Sequence, residues 1–279
     1  MTDTMNSIFP YDKWERDLET LKEQYKNADP FPSIVLDDFA SSQALEEAIE
    51  VFPNQQSEEW VHYKHFNEKK LALTKRELIP DKLGNVIDEF NGPTFMVFLS
   101  KLTGIQGLLP DSSLAGGGLH QSRKGGFLNV HADFTAHPHQ KKWARRVNII
   151  IYLNKNWEES YGGHLELWDN EATRCVKKVL PVFNRCVIFT TGPDSFHGHP
   201  HPLTCPDGWS RKSIALYYFT EEEKPFIRST EYRADPKSSL AKKLVVWTDK
   251  QALRFFDFIK RRLGLSDALI GRLLKFLSR

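Results

Sequence analysis

Gly126-Phe-Leu-Asn-Val-His131-Ala-Asp133, followed by Val147-Asn-Ile-Ile-Ile-Tyr-Leu153, is the stretch whose reading decides the fold. The second run is apolar, rich in β-branched residues and of strand length, and turn signals bound it. Similar runs flank it, at 114–121, 126–131, 164–168, 175–179, 186–190 and 213–219. Between them lie Gly125-Gly126, Asn154-Lys-Asn156, Gly162-Gly163, Pro181, Gly192-Pro193 and Asp207-Gly208. Short strands broken this often predict a sandwich or barrel.

Outward from this core the pattern becomes helical. Toward the N-terminus, 11–25 reads as helix, and Asp29-Pro30-Phe31-Pro32 stops it, because proline removes a donor and restricts its neighbour. A strand is expected over 33–39, with Ser41 or Ser42 capping a helix that runs through Val51. Another strand is expected over 60–66, and helices over 80–90 and 93–102. Beyond Pro236, Asp249 caps a helix whose stripe is Ala252, Phe255, Phe256, Ile259 and Leu263, and Ser266 caps a second with Leu269, Ile270, Leu273, Leu274 and Leu277. The expected class is α+β, with helices on one side of a β core. The expected division is a domain over 1–235, its β core at about 114–220, and a helical extension over 236–279.

Within the core, His131-Ala-Asp133 is the sharpest chemical signal. Residues two apart in an extended segment share a side, so an imidazole and a carboxylate can reach one ion. His197, in Asp194-Ser-Phe-His197-Gly-His-Pro, is the candidate third ligand. Two histidines and a carboxylate on one face leave positions open, the facial triad of non-heme Fe(II) oxygenases. His164-Leu-Glu166 has the same spacing and is a rival. Arg211 opens an expected strand shortly after His197, and its planar fork suits the second carboxylate of a 2-oxo acid bound to the metal. Ser213, two residues on, faces the same side.

Taken together, these blocks resemble the 2-oxoglutarate/Fe(II) oxygenases of the prolyl-hydroxylase-like group. The resemblance runs over about 114–220. It includes His131-Ala-Asp133, Arg146-Val-Asn-Ile-Ile-Ile-Tyr-Leu-Asn-Lys-Asn-Trp157, Gly162-Gly-His-Leu-Glu-Leu-Trp168, Asn184-Arg-Cys-Val-Ile-Phe-Thr190, His197 and Arg211-Lys-Ser213. It implies a double-stranded β-helix (jelly roll) buttressed by helices. It also implies a dioxygenase using Fe(II), 2-oxoglutarate and O2, with ascorbate as an admissible auxiliary reductant, and release of succinate and CO2. The metal ligands it implies are His131, Asp133 and His197. Arg211 and Tyr152 hold the cosubstrate carboxylate, and His164 and Glu166 go to a core strand. The carboxylate at Asp133 favours hydroxylation over halogenation. The His197–Arg211 loop, with His199, His201, Cys205 and Trp209, is longer than the family pattern. It leaves the substrate open, as a small molecule or a peptidyl residue, and leaves His199 and His201 as alternatives to His197; Ser-Phe-His-Gly favours His197.

The remaining composition bounds the partners. The chain has 279 residues, 40% hydrophobic, and a net charge of +2. No concentrated basic face argues for nucleic acid, and no run reaches the ~20 apolar residues of a membrane span. The N-terminal segment lacks a signal-peptide pattern. Cys175, Cys186 and Cys205, without CxxC spacing, point away from a disulfide framework and toward the cytoplasm. Lys260, Arg261, Arg262, Arg272, Lys275 and Arg279 border the C-terminal stripes; these helices suit packing on the core or a second subunit better than a membrane surface. Lys141, Lys142, Arg145 and Arg146 read as a solvated basic face. The glycine-rich 116–126 reads as a cavity rim, where His120, Gln121 and Arg123 are either substrate contacts or part of a solvated hairpin. His62, His65, His137 and His139 read as surface or structural. The sequence does not set the oligomeric state. Two rival functions are a non-catalytic metal-binding β-sandwich and a zinc hydrolase; no HExxH supports the latter.

Overall fold

In the computed structural model, the residues described are 7–234, 239–241, 244, 245, 247, 248 and 251. Five α-helices precede most of the strands: α1 (Tyr11–Arg16), α2 (Leu18–Lys26), α3 (Ser42–Glu50), α4 (Asp81–Asn91) and α5 (Pro93–Thr103). Ser41 caps α3, its hydroxyl accepting from the Ala44 amide at 3.3 Å. Pro93 occupies the first turn of α5, and Gly104 ends it in the left-handed region at φ 74°.

Thirteen strands form one antiparallel sheet among the described residues. They are β1 (Ser33–Leu36), β2 (Val61–His65), β3 (Glu68–Leu73), β4 (Leu109–Pro110), β5 (Gly118–Arg123), β6 (Phe127–Ala132), β7 (Trp143–Tyr152), β8 (Leu165–Trp168), β9 (Cys175–Val179), β10 (Cys186–Thr190), β11 (His197–His199), β12 (Ser210–Glu221) and β13 (Glu231–Tyr232). The order is β1-β10-β7-β12-β5-β3-β6-β11-β8-β9. β3 joins the two halves, pairing with β5 through Leu71–Leu73 and with β6 through Glu68 and Lys69. The sheet folds over as a nearly closed barrel with helices against one side, the jelly roll that the sequence blocks implied.

Alternation along the central strands sorts the side chains. On β7, Val147, Ile149 and Ile151 join the large core that the helices cover. Their neighbours Asn148 and Ile150 line the barrel interior, and Tyr152 packs in a second, inner cluster. On β12, Ile214, Leu216 and Tyr218 face the helices, whereas Arg211, Ser213, Ala215 and Tyr217 line the interior. The helical side is tied down by an aromatic knot of Phe9, Phe39, Phe90, Phe95 and Phe98, with Tyr218 Oη donating to the Phe90 carbonyl at 2.9 Å.

Four strands lie outside the runs expected from the sequence: β3, β4, β11 and β13. Glu-Lys-Lys begins β3, and His-Gly-His is all of β11, so neither carries an apolar signature. β7 begins already at Trp143, and β5 only at Gly118, after a turn in which Leu114 and Gly116 have positive φ. The helices expected after Asp249 and Ser266 lie outside the described residues, as does the expected boundary at 235/236. Among the described residues no helix is long and apolar enough to cross a membrane.

Candidate metal centre and active-site cavity

His131 and Asp133 come from β6 and the residue just beyond its end, and His197 opens β11. Antiparallel pairing sets His197 directly opposite His131. The ligand-capable atoms of His131, Asp133 and His197 all lie within 4.8 Å of one another, and all three residues are buried. His131 Nε2 is 3.5 Å from Asp133 Oδ1, and His197 Nε2 is 3.4 Å from Asp133 Oδ2.

The imidazoles are presented in one tautomer. His131 Nδ1 is 2.8 Å from the Asn129 carbonyl, and His197 Nδ1 is 2.9 Å from the Ser195 carbonyl. A carbonyl only accepts, so each Nδ1 carries the proton and each Nε2 keeps its lone pair toward the cluster. Burial is the largest influence on His197 and lowers its pKa to about 4, against the opposing pull of Asp133. Burial alone would raise the Asp133 carboxyl, but Arg145, His197 and His131 together hold it well below the usual range. With the His197 imidazole neutral and the Asp133 carboxyl ionised at neutral pH, the two imidazoles and the carboxylate make a donor set that fits a divalent transition metal.

Two residues that the sequence reading did not place in the site hold Asp133. Asn148 Nδ2 donates to its Oδ2 at 2.7 Å, and Arg145 Nη2 lies 2.9 Å from the same oxygen as an ion pair without hydrogen-bond alignment. Arg145 Nε donates to Asn148 Oδ1 at 2.9 Å, and its guanidinium stacks on Tyr217 and Phe134 at 3.4 and 4.4 Å. This corrects the reading of Arg145 as part of a solvated basic face, since it is 3% exposed. A lone Asn inside the apolar run Val147–Ile151 was the legible signal for Asn148.

A cavity of about 80 Å³ extends from the cluster, lined also by Lys70, His120, Leu128, Ile150, Leu165, His199, Arg211 and Ser213. Arg211 is buried, with Nε donating to the Gly163 carbonyl at 2.7 Å and Nη2 to Tyr152 Oη at 3.1 Å. Burial lowers its pKa, and no carboxylate pairs with it among the described residues. Gly163 is required here: it has φ +74°, and a Cβ would sit 2.5 Å from Leu203 and 3.0 Å from Arg211. Ser213 pairs in register with both Tyr152 and His120. The structure thus brings His131, Asp133, His197, Arg211, Tyr152 and Ser213 to one region. An uncompensated, forked cation and a metal-type donor set lining one small cavity fit a dicarboxylate that chelates a metal.

The alternatives fall elsewhere. His199 lines the cavity with an unpartnered Nδ1, outside the cluster. His201 is exposed, 3.8 Å from Glu166. Glu166 instead pairs with Lys178 at 2.9 Å, and His164 with Glu159 at 2.8 Å. His120 and Gln121 line the cavity; Arg123 does not. His137 is buried, 3.3 Å from Asp111, and its Nδ1 accepts from the His139 and Gln140 amides.

Comparison with known proteins gives the family of this region. Residues 117–219 match the family model of the 2OG-Fe(II) oxygenase superfamily. Prolyl 3-hydroxylase OGFOD1 of Mus musculus is 33% identical over 79 residues, 27% of this chain and 14% of that protein. The Xenopus laevis counterpart is 36% identical over 78 residues, 26% of this chain and 15% of its own length. The matches thus span a small part of those relatives. Among solved structures, a Trichoplax adhaerens prolyl hydroxylase, in complex with a hypoxia inducible factor oxygen degradation domain peptide fragment, aligns with TM-score 0.51 and 20% identity, covering 75% of this chain and 91% of its own. A Pseudomonas putida prolyl-4-hydroxylase aligns with TM-score 0.50 and 14% identity, covering 72% and 100%. At those identities the likeness concerns the fold. Family match, jelly-roll architecture and the His131–Asp133–His197 cluster together identify residues 117–219 as a domain of the 2OG-Fe(II) oxygenase superfamily with the fold of the prolyl hydroxylases.

Proposed function

We propose that this chain is a 2-oxoglutarate- and Fe(II)-dependent dioxygenase that hydroxylates a peptidyl residue, prolyl foremost. One observation carries the reading: the buried His131, Asp133 and His197 share a cavity with Arg211, a buried cation with no acid partner among the described residues. In this proposal His131, Asp133 and His197 are the metal ligands, and Arg211, Tyr152 and Ser213 hold the cosubstrate carboxylate. When bound, Fe(II) with 2-oxoglutarate and O2 supplies the oxidising power to place an oxygen atom on an unactivated C–H bond, with release of succinate and CO2.

The chain's own residues do the rest. The Asn129 and Ser195 carbonyls keep the imidazole lone pairs aimed at the metal. Arg145 and Asn148 fix the Asp133 carboxylate. Arg211 orients the cosubstrate, and Leu128, Ile150, Leu165 and Ala215 limit water in the cavity. The peptidyl substrate is supported by the matched segments of prolyl 3-hydroxylase OGFOD1 and by the peptide bound in the Trichoplax neighbour. The three free cysteines support the cytoplasm as compartment.

The test is anaerobic titration with Fe(II) and then 2-oxoglutarate, following the visible charge-transfer band of the chelate. Wild type is expected to form it. Arg211→Met is expected to keep Fe(II) binding and lose about 10- to 100-fold in 2-oxoglutarate affinity, the value of a charge-assisted forked contact. A wild type that binds Fe(II) and never forms the band would make the chain a metal-binding β-sandwich without this activity.

A further inference from the structure

The metal centre and the Arg211 end leave one charged group of the cavity without a task. β3 is the strand shared by both halves of the sheet, and its faces differ. Leu71 and Leu73 join the helix-covered core. Glu68, Lys70 and Ala72 alternate with them on the other face, with Glu68 in register with Leu128 and Ala72 with His120. Lys70 lines the cavity that holds His131, Asp133 and His197. An ion pair on an inward face costs desolvation that apolar residues would avoid, so packing gives no reason for it.

The pair is built to hold the ammonium still. Glu68 Oε2 lies 3.0 Å from Lys70 Nζ, and its Oε1 lies 2.8 Å from His65 Nε2, so both carboxylate oxygens are engaged. The Tyr63 ring lies 5.4 Å from Nζ. An ammonium has three donors, and Glu68 is the acceptor found for it among the described residues. Glu68 already balances its charge, whereas Arg211 has no acid partner. The two cations are therefore not equivalent: Arg211 suits an anion, and Lys70 suits a neutral acceptor.

We propose that Lys70 is a specificity-determining residue whose ammonium donates to a backbone carbonyl oxygen of the peptide substrate, placing the target residue at the metal. This inference rests on the functional reading above, and the experiment separates the two. The probe is a set of end-blocked tetrapeptides, N-acetylated and C-amidated, each with one proline, tested beside free proline. Three quantities are measured in wild type, Lys70→Met and Lys70→Arg: anaerobic chelate formation with Fe(II) and 2-oxoglutarate, perturbation of its visible band on peptide addition without turnover, and peptide-dependent succinate release.

The expected result is an unchanged chelate in all three proteins. Peptide affinity, read from the band and from KM, falls about 10- to 100-fold in Lys70→Met. Lys70→Arg restores part of it, and kcat changes little. Equal peptide affinity in Lys70→Met overturns the assignment. Loss of the chelate in Lys70→Met makes Lys70 a cosubstrate residue and also overturns it. So does a wild type that forms the chelate and answers to free proline or to none of the blocked peptides. A wild type that forms no chelate removes the enzymatic reading, and this assignment with it.

Discussion

Asp133 is the most constrained residue of the site, with an amide, a guanidinium and two imidazoles around one carboxylate. Removing the amide tests whether that restraint matters for the metal. Asn148→Ala is expected to weaken Fe(II) binding by about 10- to 100-fold, the usual cost of losing a hydrogen bond that orients a ligand, as read by anaerobic equilibrium titration with a colorimetric chelator. An unchanged affinity would assign that role to Arg145 alone. His120 supports a pH prediction. Burial first, then Lys70, pushes its imidazole from 6.5 down to about 3. Between those values the unfolded chain binds a proton that the folded chain does not, so stability falls as pH falls through that window. His120→Gln is expected to flatten the acid limb of a urea-midpoint series taken from pH 6.5 to 4. A parallel displacement of the whole curve would deny His120 that role.

At the scale of elements, the metal centre depends on β6 and β11 lying unusually close. A Cβ at Gly198 would meet the Leu128 and Asn129 carbonyl oxygens at 2.8 and 2.9 Å. Gly198→Ala is therefore expected to push β11 from β6, parting His197 from His131, and to lower both Fe(II) affinity and Tm. Retained affinity in a folded variant would show that the strands can yield. The same pair shows where sequence reading succeeds and stops. His131, Asp133, His197 and Arg211 were legible because metal and carboxylate chemistry restricts residue type and spacing tightly. β7 and β10 were legible because burial on both faces selects apolar residues over Val147–Tyr152, Asn148 apart, and over Cys186–Phe189. β11 was not, because His-Gly-His has no hydrophobic period, and its Gly198 answers to the close approach of β6. β3 was hidden for a related reason: its inward face carries Glu68 and Lys70 where alternation would place apolar residues. Arg145 was misread because a buried guanidinium between two aromatic rings looks, in sequence, like any other member of a basic run.

For the whole molecule, the order of strands matters more than any single contact. His131 on β6, Asp133 just beyond its end and His197 on β11 belong to the half of the sheet on one side of β3. Tyr152 on β7 and Arg211 and Ser213 on β12 belong to the other half. A molecule held by the metal at one end and by Arg211 at the other acts as a staple across the barrel, whereas the metal alone touches one wall. Ligands that bind only the folded state raise its stability by mass action, and a bridging pair does so jointly. Calorimetric scans under anaerobic conditions should therefore be synergistic. The rise in Tm with Fe(II) and 2-oxoglutarate together should exceed the sum of the rises with each alone, and Arg211→Met should return the combined shift to that of the metal. Additive shifts in wild type would mean that the two walls are already locked together by β3, with no slack left for a ligand to take up.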